Sequence, residues 1–292
     1  KPENYGKKFY GPSTLRMGLE KSRNLMTVRI AQEIGVNKIV NFTKQLGIYN
    51  DPQELLSISL GSAETTLLKL TSAYCSFVNG GKKINPILID RIQDSEGVTF
   101  FNTETRSCDN CDQISYYSKF IPKISDNFDQ VISPQSAYQV TSMLEGVIKR
   151  GTGKRLRDLN LDIAGKTGTT NNFRDAWFSG FNQDVVTSVW VGFDRPKDLG
   201  SKESGARAAL PIWIDYMEVS LKGKPEKLLA IPENIIKAWV HKNTGEAVAV
   251  NDPKGFEEFF LMGTEPHALV RGGAPAVQNN ITQETLSLEE LF

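Results

Sequence analysis

The chain is poor in the residues that frame metal centres and disulfide scaffolds, with three cysteines and two histidines in 292 residues. So few cysteines exclude a disulfide-framed fold. A structural zinc site needs about four ligands, and His241 and His267 lie far along the chain from Cys108 and Cys111, so no metal is expected. A surplus of one charge is also lacking. Lys+Arg and Asp+Glu both count 34 and the net charge is zero, so nothing points to nucleic acid as a partner. Any attraction for an anionic substrate must therefore be local. No apolar run approaches the roughly eighteen residues of a membrane span, and Lys1-Pro2-Glu3-Asn4 lacks a signal-peptide profile. Phosphate loops fail as well. Gly165-Lys166-Thr167 would need glycine where Asn160 stands; Gly153-Lys154 has Ile148 at that position and Arg155 in place of the hydroxyl residue. A nucleoside triphosphatase is excluded, and no cofactor is expected.

Helix and strand signals are plentiful. Ser13 reads as the cap of a helix running to about Lys21, with a second helix beginning near Leu25. Val36, Ile39, Val40 and Leu46 recur at helical spacing up to Gly47, and Leu67, Leu70, Tyr74 and Phe77 do so up to Gly80-Gly81. Both stripes read as core. Cys75, inside the second, reads as a small buried hydrophobe. Ser133-Pro134 is a strong helix start, with Val140, Met143, Leu144 and Val147 on the buried face. From Asp162 the pattern turns to strands: 162–169, 176–181 and 185–193, the last two joined by the short connection Asn182-Gln183-Asp184. Residues 204–221 return to a helix, kinked or restarted at Pro211. Residues 82–132 read as an excursion, with a strand near Ile87–Ile92, a turn at Ser95-Glu96-Gly97 and a polar insert carrying the C-x-x-C of Cys108 and Cys111. Past about 225, Lys237–His241 and Glu246–Val250 read as a hairpin about Asn243-Thr244-Gly245, and 270–292 as a tail without periodicity.

Two short motifs carry chemistry: Ser22-Arg23-Asn24, and Lys166-Thr167-Gly168-Thr169 on a strand. Alone, each is weak. Ser22 would ordinarily be a helix-junction residue and Lys166 a solvated strand lysine. Their flanks are specific. Gly11–Arg16, Ala164–Asn171, Arg174-Asp175-Ala176-Trp177-Phe178, Ala209–Trp213 and Gly263–Pro266 together resemble the transpeptidase domain of class A, 1A-type bifunctional penicillin-binding proteins, over nearly the whole chain. Members of that family carry a third motif, Ser-x-x-Lys, which supplies the nucleophile. None occurs in these 292 residues, so it is expected upstream of Lys1.

The resemblance implies an α/β fold of the penicillin-binding and serine β-lactamase type, an antiparallel sheet flanked by helices, incomplete at its N-terminus. The expected division is a partial transpeptidase domain over 1–225 with the 82–132 insert, a small β extension over 226–269, and the tail. The resemblance also implies roles. Ser22 would pass a proton toward the leaving amine, and Asn24 would hydrogen-bond the donor peptide's amide. Lys166 would set a positive potential, and the hydroxyls of Thr167 and Thr169 would hold the substrate carboxylate. Gly168 would let the scissile group approach the backbone, and the Thr169 amide would be one of two oxyanion donors. Asp175 and Arg174 are open between pinning the turn and touching substrate. His241 and His267 read as structural. Because the family works in an oxidising compartment, Cys108 and Cys111 are expected to pair, with a free thiol pair as the alternative.

The implied activity is penicillin-sensitive D,D-transpeptidation of peptidoglycan stem peptides ending in D-Ala-D-Ala, with β-lactams as mimics. The parent would be membrane-anchored at the periplasmic face of the inner membrane and would carry a glycosyltransferase domain. This chain alone would be inactive without its upstream segment. A degenerate remnant acting as a binding or scaffold module is the alternative. A serine β-lactamase is disfavoured by the text after Asp175 and by the long tail.

Overall fold

The computed structural model describes residues 4, 6, 8–104, 106–109, 111, 123–153, 155–156, 162–225 and 228–267. The expected tail, and the greater part of the polar insert at 112–122, lie outside these. At its centre is a three-stranded antiparallel sheet of β5 (Ala164–Thr169), β6 (Ala176–Phe181) and β7 (Val186–Val191), in the order β5-β6-β7. The register is continuous from Ala164↔Phe181 to Thr169↔Ala176, and from Ala176↔Val191 to Phe181↔Val186. The β6–β7 connection is where the sequence places it. Asn182 Oδ1 accepts from the amides of Asp184 and Val185 at 3.0 and 2.8 Å, which closes the turn.

Each face of the sheet has its own core. On one, Leu144 and Val147 of α5 (Pro134–Arg150) pack with Ala164 and Phe181. On the other, Ile148, Leu156 and Ile163 join Phe178 with Leu210, Trp213 and Met217 of α6 (Leu210–Leu221). One π-helical turn, Gly205–Ala209, leads into α6, so the break falls just before Pro211. Trp213 is fully buried, meets Phe178 edge-on at 4.9 Å and donates its indole N–H to Thr187 O at 2.9 Å, which fixes α6 to β7.

α5 begins as its sequence dictates, with the Ser133 hydroxyl accepting from the Ser136 amide and Pro134 in the first turn. α4 (Leu67–Val78) ends before Gly80-Gly81, and α3 (Val36–Gln45) before Gly47. At the first helix the structure corrects the expected cap. α1 (Leu15–Glu20) is capped by Thr14, whose hydroxyl accepts from Met17 N, while Ser13 is turned toward Gly11 O and Arg23. α2 (Asn24–Ile34) follows after three residues.

Beyond α4, β1 (Arg91–Gln93) and β2 (Thr99–Asn102) form an exposed hairpin about the expected turn, with the first strand starting at Arg91 instead of Ile87. Strands β3 (Cys108–Asp109) and β4 (Lys123–Ile124) bracket the insert, and Cys108 is joined to Cys111 with their Cα atoms 5.7 Å apart. Cys75 is free and only half-buried, and desolvation raises its thiol pKa. If the protein is exported, alkylation without reductant is expected to leave Cys108 and Cys111 unmodified and to modify Cys75 slowly. Mass spectrometry decides it, and rapid labelling of both insert cysteines would reject the pairing.

The C-terminal hairpin also differs from expectation. β8 (Ile235–His241) pairs along its whole length with β9 (Gly255–Leu261). The Glu246–Val250 segment makes only a bridge at Val240↔Ala247 on the other edge of β8, although the turn at Gly245 does form. β9 is held to the main body by charge. Arg16 on α1 is 4% exposed, pairs with Glu258 of β9 and Glu20 of its own helix, and donates to Ser142 O at 2.8 Å and Ser142 Oγ at 2.9 Å. Arg150, at the end of α5, pairs with Glu20, which is 2% exposed. The Phe256 ring lies under both guanidinium groups, 5.5 and 5.3 Å away. Two cations and two anions thus close a neutral cluster among α1, α5 and β9.

Candidate active site

Ser22 sits in the three-residue link between α1 and α2, two residues past the buried Glu20. Its φ of 51° is in the left-handed region that residues with a Cβ seldom enter. The link is pinned by Ser22 N donating to Leu19 O at 3.1 Å and by Arg23 N donating to Gly18 O at 2.9 Å. Asn24 opens α2 immediately afterwards. The Arg23 guanidinium covers the Tyr10 ring at 4.2 Å, fixing the outer side of the link.

Lys166 reaches this link from β5. Its ammonium donates to Ser22 Oγ at 2.9 Å and to Thr167 O at 2.9 Å, so motifs 144 residues apart meet directly. The residue keeps some exposed surface, but its ammonium is desolvated, which lowers its pKa from the ordinary 10.5 to about 8. A solvated surface lysine would show no such shift. At neutral pH the group is still mainly charged, so it places a positive charge against the serine hydroxyl in a poorly hydrated position.

Thr167 and Thr169 share the opposite face of β5. Thr169 Oγ1 accepts from Gly205 N at 3.0 Å, so its hydroxyl proton remains for another acceptor. A Cβ on Gly205 would run into the backbone of Trp177 and Gly168, so only glycine brings that amide so close. Thr167 Oγ1 lies 3.1 Å from Thr152 Oγ1, in the turn that follows α5. Gly168 stands opposite Trp177, and a Cβ there would sit 3.1 Å from Trp177 Cβ. Its lack of a side chain therefore relieves crowding with β6 as well as keeping the backbone open.

Asp175 pins the β5–β6 turn. Its carboxylate accepts from Trp190 Nε1 at 2.9 Å and Thr170 Oγ1 at 3.2 Å, and its amide donates to Thr170 Oγ1 at 2.8 Å. Arg174 is exposed. Among the described residues His241 Nδ1 meets only Thr244 of its own turn, and His267 is exposed. Among the described residues no cluster of three or more His, Cys, Asp or Glu has the geometry to hold a metal ion. Sequence reasoning did not single out Thr152, Gly205 or the Arg16 cluster. The Gly151-Thr152-Gly153 repeat was the one local signal available for the first.

Residues 2–213 match the penicillin binding protein transpeptidase domain. The chain belongs to that family. Among similar proteins, penicillin-binding protein 1A of Rickettsia prowazekii is 41% identical over 251 residues, covering 85% of this chain and 32% of the relative. Penicillin-binding protein 1A of Pseudomonas aeruginosa is 36% identical over 292 residues, covering 89% of this chain and 35% of the relative. The chain thus spans about a third of the length of the curated relatives it matches. The crystal structure of penicillin-binding protein 1A from Haemophilus influenzae superposes with a TM-score of 0.78 at 34% identity, covering 91% of this chain and 42% of that one. The fold alone is shared with PonA1 of Mycobacterium tuberculosis in complex with penicillin V, at a TM-score of 0.62 and 22% identity. The α/β arrangement expected of a penicillin-binding transpeptidase is the one found. Among the described residues no helix is long and apolar enough to cross a membrane.

Proposed function

We propose that this chain supplies the proton-transfer and substrate-holding part of a serine D,D-transpeptidase site that cross-links peptidoglycan stem peptides. The observation that carries the reading is the 2.9 Å contact between Lys166 Nζ and Ser22 Oγ. The nucleophile is the serine of a Ser-x-x-Lys outside these residues. Its oxygen bonds to the carbonyl carbon of the penultimate D-Ala as its proton passes to the lysine of that motif, the C–N bond to the terminal D-Ala breaks, and Ser22 delivers a proton to the leaving amine while taking one back from that lysine. Lys166 keeps the potential around Ser22 positive and favours the anionic substrate terminus. Thr167 and Thr169 hydroxyls hold that carboxylate, Asn24 hydrogen-bonds the donor amide, and the Thr169 amide contributes half of the oxyanion hole. An amine from a neighbouring strand then accepts the acyl group. β-Lactams occupy the same place as the donor.

The family resemblance supports placing the full protein at the periplasmic face of the inner membrane, anchored there and carrying a glycosyltransferase domain. The test is covalent labelling by a fluorescent penicillin. The 292-residue chain by itself is expected to take up no label, because no serine in it has a lysine three residues on. The full-length protein is expected to label stoichiometrically. A stable adduct on Ser22 or on any other serine of this chain would overturn the assignment.

A further inference from the structure

We propose that Thr152 acts with Thr167 as a hydroxyl pair that offers one proton to the substrate carboxylate, beside the proton of Thr169; this rests on the reading of the site given above. Leu144 and Val147 of α5 pack on one face of the sheet, while Ile148 near its end joins Leu156 in the core on the other. The end of α5 and the turn after it therefore lie at the edge of β5, which is terminal in its sheet among the described residues. Thr152 is the exposed apex of that turn. Its position is set on both sides. Gly151 N and Gly153 N both donate to Val147 O, at 3.0 and 3.1 Å. A Cβ on Gly151 would strike the carbonyl of Glu20, and one on Gly153 would sit 2.6 Å from Ile148 Cδ1. The turn is thus wedged between the end of α1, which leads to Ser22, and the end of α5.

This places Thr152 Oγ1 3.1 Å from Thr167 Oγ1. When two hydroxyls meet, one proton lies between them and the other is left for an outside acceptor. The proton of Thr169 is free in the same sense, because that oxygen accepts from Gly205 N. A carboxylate with two oxygens can take both protons, one from Thr169 and one from the Thr152–Thr167 pair, in which Thr167 donating to Thr152 turns the proton of the exposed Thr152 outward. Hydrogen bonds to an ionised acceptor are about twice as strong as neutral ones, so Thr152 acts on substrates that carry the carboxylate and not on those that lack it.

The test measures second-order acylation rate constants of the full-length protein, using benzylpenicillin and its methyl ester, in parent, Thr152→Val and Thr152→Ser. Valine keeps the β-branched shape and removes the hydroxyl. We expect Thr152→Val to acylate about tenfold or more slowly with the free acid and within about twofold of parent with the ester, with Thr152→Ser close to parent for both. A valine variant as fast as parent, or an equal loss with acid and ester, would overturn the role of Thr152. A parent protein that neither compound acylates would overturn the underlying reading of the site, and this proposal with it.

Discussion

Lys166→Met in the full-length protein is expected to slow acylation by penicillin about 10²- to 10³-fold, the scale seen when one preorganised electrostatic group is removed from an active site. Methionine fills nearly the same volume without a charge. Burial penalises the charged form of Lys166, so the variant should fold at least as stably as the parent. The two observables therefore move apart, which a merely structural lysine would not produce. The pH dependence gives the same sign. In the folded protein the pKa of Lys166 is about 8, below the ordinary 10.5. Between those values the unfolded chain binds more protons than the folded one, so parent stability gains from this group as pH rises through the window, and Lys166→Met abolishes that gain. Catalysis runs the other way. The parent's acylation rate constant should fall above pH about 8 as the ammonium is lost, and the low residual rate of the variant should not follow that limb. Unchanged acylation in Lys166→Met would remove the lysine from the mechanism.

The largest effect on stability is expected at Glu258. Glu258→Ala leaves Arg16, 4% exposed, without its principal partner from β9. Removing one member of a buried pair costs about 3–5 kcal/mol, because the remaining charge stays desolvated. Some of this is offset by Ser142 and Glu20, which still face Arg16, so the lower end is expected in urea unfolding. The double variant Arg16→Met/Glu258→Leu should recover much of the loss, since an apolar pair of similar volume replaces the ions. A Glu258→Ala cost below about 1 kcal/mol would show that the pair is effectively solvated. Because α1 ends two residues before Ser22, Glu258→Ala should also slow acylation, although Glu258 touches no part of the site.

Elements governed by neighbouring residues were legible in the sequence. Ser133-Pro134 fixes the start of α5, and Asn182 closes the β6–β7 turn with its own side chain. The Thr14 cap was missed because Ser13 and Thr14 are adjacent and chemically equivalent candidates. The misplaced return strand of β8 has a different cause. Gly245 does make a turn, and the valines after it fit a strand, so Glu246–Val250 looked like the partner. The true partner, β9, carries Glu257 and Glu258 side by side, which breaks the alternation of a half-buried strand. Glu258 tolerates burial only because Arg16, 242 residues away, pairs with it, and no local pattern reports such a contact. The site divides the same way. Ser22 and Lys166 were found through their motifs, whereas Thr152 belongs to no motif and becomes visible only when its turn is seen at the edge of β5.

The most direct test of the account is a double-mutant cycle on Ser22 and Lys166, read as the acylation rate constant of the full-length protein with penicillin. Groups that act as one unit are strongly non-additive. With the ammonium donating to the serine hydroxyl at 2.9 Å, Ser22→Ala, Lys166→Met and the double variant should lose rate to nearly the same extent. Losses that multiply, so that the double variant is slower by the product of the two single effects, would show that Ser22 and Lys166 work independently and would contradict the account.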